Sequence, residues 1–305
     1  MRLFKILGLL TVLFCLGGPL SRAWPAGPFA YRLPQSQVGI DPKACTVVGG
    51  HQTHHLVRYE NMYFIARRYD LGFWELARYH RELDHWYLPW GQDLEIPSRW
   101  ILPPVPTPRG IIINVAELRL YRFFPDQGQV RTYPIGIGVM DYKTPFRHFR
   151  VTSKAENPGW RIPGSLRKKY GMSYMPPGDE NPVGSHWLGL SHYGIHGTCY
   201  PHGVGRLVSH GCIRLYPEDI AELYQLTPVG TPVQIIYAPV KLGFRDGRVF
   251  IEVHKDVYHK IPDMLLHARE LIDTHHLERN IDWTRFLRAV EEETGAPVDI
   301  SRSSS

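Results

Sequence analysis

Between Arg109 and the residues before it the chain reads Pro103-Pro104-Val105-Pro106-Thr107-Pro108, four prolines in six residues. Each proline fixes φ and lacks an N–H, so the stretch continues neither a helix nor a sheet ladder and behaves as a stiff spacer. The chain should therefore divide there, with residues 102–109 as linker. Its 305 residues leave room for two domains, or for one with sizeable appendages. A content of 43% hydrophobic and 21% charged residues excludes a fibrous or disordered polypeptide.

Residues 1–23 read as a secretory signal: basic Arg2 and Lys5, an apolar run over 6–16 broken by Gly8 and Thr11, and a small-x-small site at Ser21-Arg22-Ala23. Gly17-Gly18-Pro19 ends that run short of the roughly 20 residues a membrane span needs. A lead-in over 24–53, with Pro25, Pro28, Pro34 and Pro42, should be extended. Removing the signal leaves 32 basic against 29 acidic residues, too mild a balance for nucleic-acid binding. It also discards Cys15 and leaves Cys45, Cys199 and Cys212. An odd number in an exported protein leaves at least one thiol free in an oxidising compartment, which calls for a chemical reason.

Ahead of the linker, residues 54–101 predict a strand at Leu56-Val57, a helix capped by Asn61 with Met62, Ile65, Ala66 and Tyr69, a second helix over 73–81, and a closing strand at Leu94-Glu95-Ile96-Pro97. This βααβ unit resembles a LysM domain, a small glycan-binding module, with Tyr59-Glu60-Asn61 where that family has Gly-Asp-Thr. After the linker, strands over 111–115, 118–124 and 130–137 form a meander, so the domain over 110–238 should be mainly β. Residues 152–191 are rich in Gly and Pro with little periodicity and read as a functional loop or lid. A helix over 217–226 follows, with Pro217 in its first turn, and then a strand over 233–237. The extension over 239–305 predicts a hairpin around Asp246-Gly247 and helices near 263–271 and 283–293, the second burying Trp283, Phe286, Leu287 and Val290 behind an Asp282 cap.

The chemistry lies in Tyr193-Gly194-Ile195-His196-Gly197-Thr198-Cys199 and, after eight residues, Val208-Ser209-His210-Gly211-Cys212-Ile213-Arg214-Leu215. A thiol attacks as thiolate, so a nucleophilic cysteine needs a nearby base. Cys212 follows a glycine that frees the backbone to aim amides at an oxyanion, and His196 is the obvious base. The pattern predicts acyl transfer.

This pair of motifs resembles the signature of the L,D-transpeptidase family, whose YkuD catalytic domain carries His-Gly-Thr and then Ser-His-Gly-Cys-Ile/Val-Arg-Leu. Leu118-Arg119-Leu120-Tyr121, Pro134-Ile135-Gly136-Ile137-Gly138, Thr144-Pro145, Asn181-Pro182-Val183-Gly184 and Pro228-Val229-Gly230-Thr231-Pro232-Val233 match it as well. With the LysM-like unit and Glu252-Val253-His254 in the tail, the chain resembles the periplasmic ErfK/YbiS branch. The resemblance implies a mainly β fold: a YkuD-type β-sandwich catalytic domain, a small LysM-like N-terminal domain and a C-terminal extension with helices. It implies that Cys212 attacks the diaminopimelyl to D-alanine bond of a peptidoglycan tetrapeptide stem, releases D-alanine, and passes the acyl group to an amine. His196 would serve as base, the Gly197 carbonyl would orient it, and amides around Gly211 and Cys212 would hold the oxyanion. Ser209, His210 and Arg214 would shape the site and engage substrate. Glycan and stem peptides are the implied partners, an outer-membrane lipoprotein is a possible acceptor, and no cofactor is implied.

Cys199 stands where the family usually has Asn. It reads as a neutral replacement, as half of a disulfide with Cys45, or as a redox partner of Cys212. Other readings compete for the motif. His192, His196, Cys199, His202, His210 and Cys212 offer zinc-type ligands without a common zinc spacing, as in a zinc-dependent hydrolase. Ser165-Leu166-Arg167-Lys168 fits Ser-x-x-Lys but lacks its companion motifs. A non-catalytic peptidoglycan-binding protein is the remaining alternative.

Overall fold

A computed structural model describes residues 30–33 and 45–303. The signal over 1–23 and most of the lead-in lie outside the described residues. The fold is built around the strand Gly110–Asn114, whose Ile111-Ile112-Ile113 run is buried on both faces. Successive side chains of a strand point to opposite faces. Ile111 and Ile113 thus enter one core with Leu188, Leu190, Ile195 and Ile213, while Ile112 enters another with Met62, Ile65, Leu76 and Trp100. A run with no alternation is what a strand between two layers requires.

That strand belongs to a six-stranded sheet in the order Ala30–Arg32, Gln129–Pro134, Arg119–Phe124, Gly110–Asn114, Pro232–Ile236 and His148–Arg150. All neighbours are antiparallel except Gly110–Asn114 beside Pro232–Ile236. Against it lies a four-stranded sheet, Ser153–Glu156, His186–Leu190, Tyr193–His196 and Ile213–Arg214, with the last pair parallel. The fold is mainly β, with these two sheets sharing one core.

On the other face sit helices α1 (Met62–Arg68) and α2 (Phe73–Tyr79), with Asn61 Oδ1 accepting from the Phe64 N–H at 3.1 Å as an N-cap. Around them the strand Gln52–His55 pairs with Asp93–Ile96, and Val47–Gly49 pairs with Arg99–Ile101. The first of these strands stands just ahead of the predicted Leu56-Val57 and straddles the boundary drawn between lead-in and helical unit at residue 54. Its sequence Gln-Thr-His-His has no hydrophobic alternation, and its buried residue is His54, bonded to Tyr69 and Glu60. The prolines space the chain, yet the helical unit shares a core with the outer face of the sheet.

The segment 152–191, expected as irregular, instead carries the strands Ser153–Glu156, Trp160–Arg161, Tyr174–Met175 and His186–Leu190 and helix α3 (Gly164–Tyr170). Two of these strands, Trp160–Arg161 and Tyr174–Met175, are two residues long, too short to show a period. Helix α4 (Pro217–Gln225) follows the Cys212 motif. The extension opens with the hairpin Val240–Arg245 and Arg248–Val253, whose turn residues Asp246 and Gly247 both have positive φ, 52° and 72°. Helices α5 (Met264–Thr274) and α6 (Trp283–Glu292) cover it, capped by Asp263 and Asp282. On α6 the buried stripe is Phe286, Ala289 and Val290; Trp283 and Leu287 lie 37% and 49% exposed, a rotation of the predicted face.

Charges join the helical unit to the sheet. Fully buried Arg119 donates to Glu75 Oε2 at 2.7 Å, to the Asp70 carbonyl at 3.0 Å and to Thr132 Oγ1 at 3.0 Å. Arg67 makes a bidentate pair with Glu218 on α4, at 2.6 and 2.7 Å. Beside it the carboxyls of Asp70 and Asp219 meet. Asp70 Oδ1 and Asp219 Oδ2 are buried and receive no hydrogen bond from an N–H or a hydroxyl. Two such oxygens are satisfied only if a proton is shared between the carboxyls. Burial, followed by Glu218, pushes Asp219 up to about 8, and burial followed by Asp219 raises Asp70.

A group that keeps its proton in the folded state but ionises near pH 4 when unfolded contributes stability that is complete below about pH 4 and is lost as pH rises through the folded value. Wild type should therefore lose resistance to urea as pH climbs towards about 8. Asp219→Asn, which supplies an amide donor to Asp70, should flatten that slope. Identical pH profiles of the urea midpoint in the two proteins would contradict the shared proton.

Candidate active site

The two motifs meet on neighbouring strands. Tyr193–His196 runs parallel to Ile213–Arg214, with Ile195 opposite Ile213 and His196 opposite Arg214. Ile195 and Ile213 fill the core, so strand alternation turns Gly194, His196, Cys212 and Arg214 to the other face. His196 is 3% exposed, and its Nδ1 lies 2.6 Å from the Gly197 carbonyl. A carbonyl only accepts, so Nδ1 carries the hydrogen and the lone pair of the neutral ring is on Nε2, with the Val183 carbonyl also against the ring. The ring stacks on Trp187, its cross-strand partner, at 5.4 Å and 16°. Gly194 permits this, since a Cβ there would lie 2.3 Å from the Trp187 ring.

Cys212 is partly buried and free. Burial pushes its thiol up, opposed by the Gly194 backbone amide and Arg214. Burial, with Arg214 next, pulls His196 down to about 3. Both effects disfavour charge, so the resting state is a neutral thiol and a neutral imidazole. Among the described residues no direct hydrogen bond joins Sγ to the ring, as is common before substrate tightens a site.

The loop before Cys212 is fixed by its own atoms. Gly211 has φ +99°, and a Cβ there would lie 2.7 Å from the Tyr193 ring. Ser209 Oγ accepts from the Gly211 N–H at 3.2 Å and donates to the Cys212 carbonyl at 2.5 Å. Ser209 thus holds the loop rather than facing outward. His210 stacks on Tyr142 at 4.1 Å. Burial, then Lys169 and Arg214, lowers its pKa. Arg214 is partly buried, forms no ion pair with any described residue, and has an Nε with no acceptor. The site therefore carries an uncompensated guanidinium beside its thiol.

Cys199 donates to the Glu180 carbonyl at 3.4 Å, whereas Cys45 bridges to Arg245 in the C-terminal hairpin. Both thiols are free, which removes the proposed Cys45–Cys199 disulfide. The zinc-type residues do not converge either: His196 turns to Gly197, His210 to Tyr142 and His202 to Tyr63. Among the described residues the metal-ligand types that do cluster are Glu117, Glu252 and His254, and there the Lys241 ammonium already bonds both carboxylates, at 2.9 and 2.7 Å. Ser165 and Lys168 lie exposed on α3. Trp187 went unnoticed in the sequence; pairing 186–190 with 193–196 across Ser191-His192 would have set it opposite His196.

Residues 108–235 match the family model of the YkuD L,D-transpeptidase catalytic domain. The chain is 32% identical to the probable L,D-transpeptidase YcfS of Escherichia coli K12, over 86% of this chain and 87% of that one. It is 32% identical to the probable L,D-transpeptidase ErfK/SrfK of the same strain, over 100% and 99% of the two chains. To the probable L,D-transpeptidase YbiS it is 36% identical, over 63% of this chain and 65% of that one.

A neutral pair has a distinct reactivity profile. Alkylation of Cys212 by iodoacetamide, followed by peptide mapping, should accelerate steadily between about pH 6 and 10 as the buried thiol ionises. A plateau already reached near neutrality would indicate a preformed thiolate and imidazolium and contradict this assignment of charge.

Proposed function

This chain belongs to the L,D-transpeptidase family and is an enzyme of that class, and from that premise we propose that Cys212 is its nucleophile and His196 its general base. The observation that carries the proposal is the 2.6 Å contact of His196 Nδ1 with the Gly197 carbonyl, which assigns the ring hydrogen to Nδ1 and leaves Nε2 to take a proton on the face shared with Cys212. The thiol proton passes to Nε2 as sulfur bonds to the carbonyl carbon linking the L-centre of diaminopimelate to D-alanine in a tetrapeptide stem. The tetrahedral oxyanion rests on the Cys212 backbone amide, the Gly211 N–H being held by Ser209 Oγ. Collapse breaks the C–N bond, the D-alanine amine takes the proton from His196, and a thioester remains. An acceptor amine then attacks, gives a proton to His196, and expels the sulfur, which recovers that proton. Water in the acceptor's place would give hydrolysis.

Stem peptides are rich in carboxylates, and the unpaired Arg214 guanidinium beside Cys212 supports their recognition. The LysM-like unit supports a second role. Tyr59, Trp86, Tyr87 and Trp90 are 89%, 56%, 84% and 65% exposed, and the Arg58 guanidinium lies over the Tyr59 and Trp90 rings. Exposed aromatic rings gathered in this way suit the apolar faces of sugars, so glycan strands of the wall are the proposed ligand of this face. Export to the periplasm follows from the same reading, and the acceptor is a second stem or a lipoprotein lysine.

The test is mass spectrometry for D-alanine release from disaccharide-tetrapeptide and from intact sacculi. Cys212→Ala should lose at least about 1000-fold in turnover on both. Trp86→Ala with Trp90→Ala should slow only the reaction on sacculi. Equal turnover by wild type and Cys212→Ala would overturn the assignment.

A further inference from the structure

The C-terminal extension reaches into the nucleophile loop through Tyr258, which lies beyond the residues matched by the catalytic-domain model and is 1% exposed. Its hydroxyl donates to the Gly138 carbonyl at 2.6 Å and accepts from the Thr144 N–H at 3.1 Å. Thr144 is fully buried; its Oγ1 accepts from the Gly138 N–H at 3.0 Å and donates to the Gly211 carbonyl at 3.1 Å. Gly138 packs so closely that a Cβ would lie 3.0 Å from the Gly211 Cα and 2.1 Å from the Tyr142 carbonyl oxygen. Next to it the Val139 N–H donates to the Ser209 carbonyl at 2.9 Å. Residues 138–144 thus form a wedge with Tyr258 on one side and the loop before Cys212 on the other.

Tyr258 is anchored in turn. Its N–H donates to Tyr237 Oη at 2.9 Å, and that hydroxyl donates to Asp256. Lys143 Nζ lies 3.4 Å from the Tyr258 carbonyl. Removing the Tyr258 hydroxyl would leave a buried N–H and a buried C=O short of a partner, a deficit met by moving the wedge.

The consequence for chemistry follows from peptide planarity. In a trans peptide the C=O and N–H point in opposite directions. Holding the Gly211 carbonyl on Thr144 therefore aims the Cys212 N–H away from the wedge, and that N–H meets no acceptor among the described residues. We propose that Tyr258, acting through Thr144, is a positioning residue that orients the Gly211–Cys212 peptide for the oxyanion, making the C-terminal extension part of the catalytic apparatus. The proposal rests on Cys212 as nucleophile.

Oxyanion placement can be separated from thiol reactivity, because acyl transfer builds an oxyanion and alkylation by iodoacetamide does not. Tyr258→Phe and Thr144→Val should each lower kcat for D-alanine release about 100-fold, with KM and the rate of Cys212 alkylation unchanged. Thr144→Ser, which keeps the hydroxyl, should restore most of the loss, and the Thr144 pair decides the matter if Tyr258→Phe does not fold. Wild-type kcat in Tyr258→Phe, or kcat and alkylation falling together, would overturn the positioning role. Absence of D-alanine release by wild type would instead overturn the nucleophile assignment on which it rests.

Discussion

The Lys241 ammonium lies between three segments remote in sequence and is fully buried. It donates to the Ile101 carbonyl at the end of the helical unit at 2.6 Å, and bonds Glu117 at a turn of the six-stranded sheet and Glu252 in the C-terminal hairpin. The carboxylates are met in turn: Glu117 by Tyr121 and Asn114, Glu252 by the Ile101 N–H and His254. Burying ions costs several kcal/mol each, and removing one partner of such a group costs about 3–5 kcal/mol. The network is favourable only with all three segments in place, so it fixes the hairpin against the sheet. Tyr258 follows the hairpin by a few residues, and its reach to Gly138 depends on that placement.

Burial governs the site as well. The same desolvation that seals the core keeps Cys212 and His196 neutral, while Trp187 covers one face of the imidazole. Arg214 favours the thiolate and disfavours the imidazolium, so it promotes deprotonation of sulfur without stabilising a resting ion pair. In the proposed reaction charge develops only as the thiol proton moves, in a setting where a fixed backbone amide acts with little competition from water. The arrangement suits a thiol protected from idle reaction.

Legibility in the sequence followed the physics of each element. Local signals were plain: Asn61 and Asp282 as caps, Asp246-Gly247 as a turn, and the unbroken Ile111-Ile112-Ile113 run. The two Cys/His motifs were legible because they concentrate unusual residue types in short stretches. Segment 152–191 was not, since strands of two residues and a polar helix have no period to detect. Trp187 depends on cross-strand register, and Tyr258 on a contact spanning more than a hundred residues. The disulfide reading of Cys45 and Cys199 failed for the same reason, because spacing says nothing about distance between chain segments. Prolines 103–108 marked a real break in secondary structure, but the apolar back face of the sheet drew the helical unit into a shared core.

The proposed chemistry turns on a covalent acyl group on Cys212. Mixing enzyme with disaccharide-tetrapeptide, quenching in acid within the first turnover and mapping peptides by mass spectrometry tests it directly. The expected product is a hydroxylamine-labile adduct on Cys212 with the mass of the stem lacking its terminal D-alanine. Turnover with no such adduct, or with the acyl group on another residue, would contradict it.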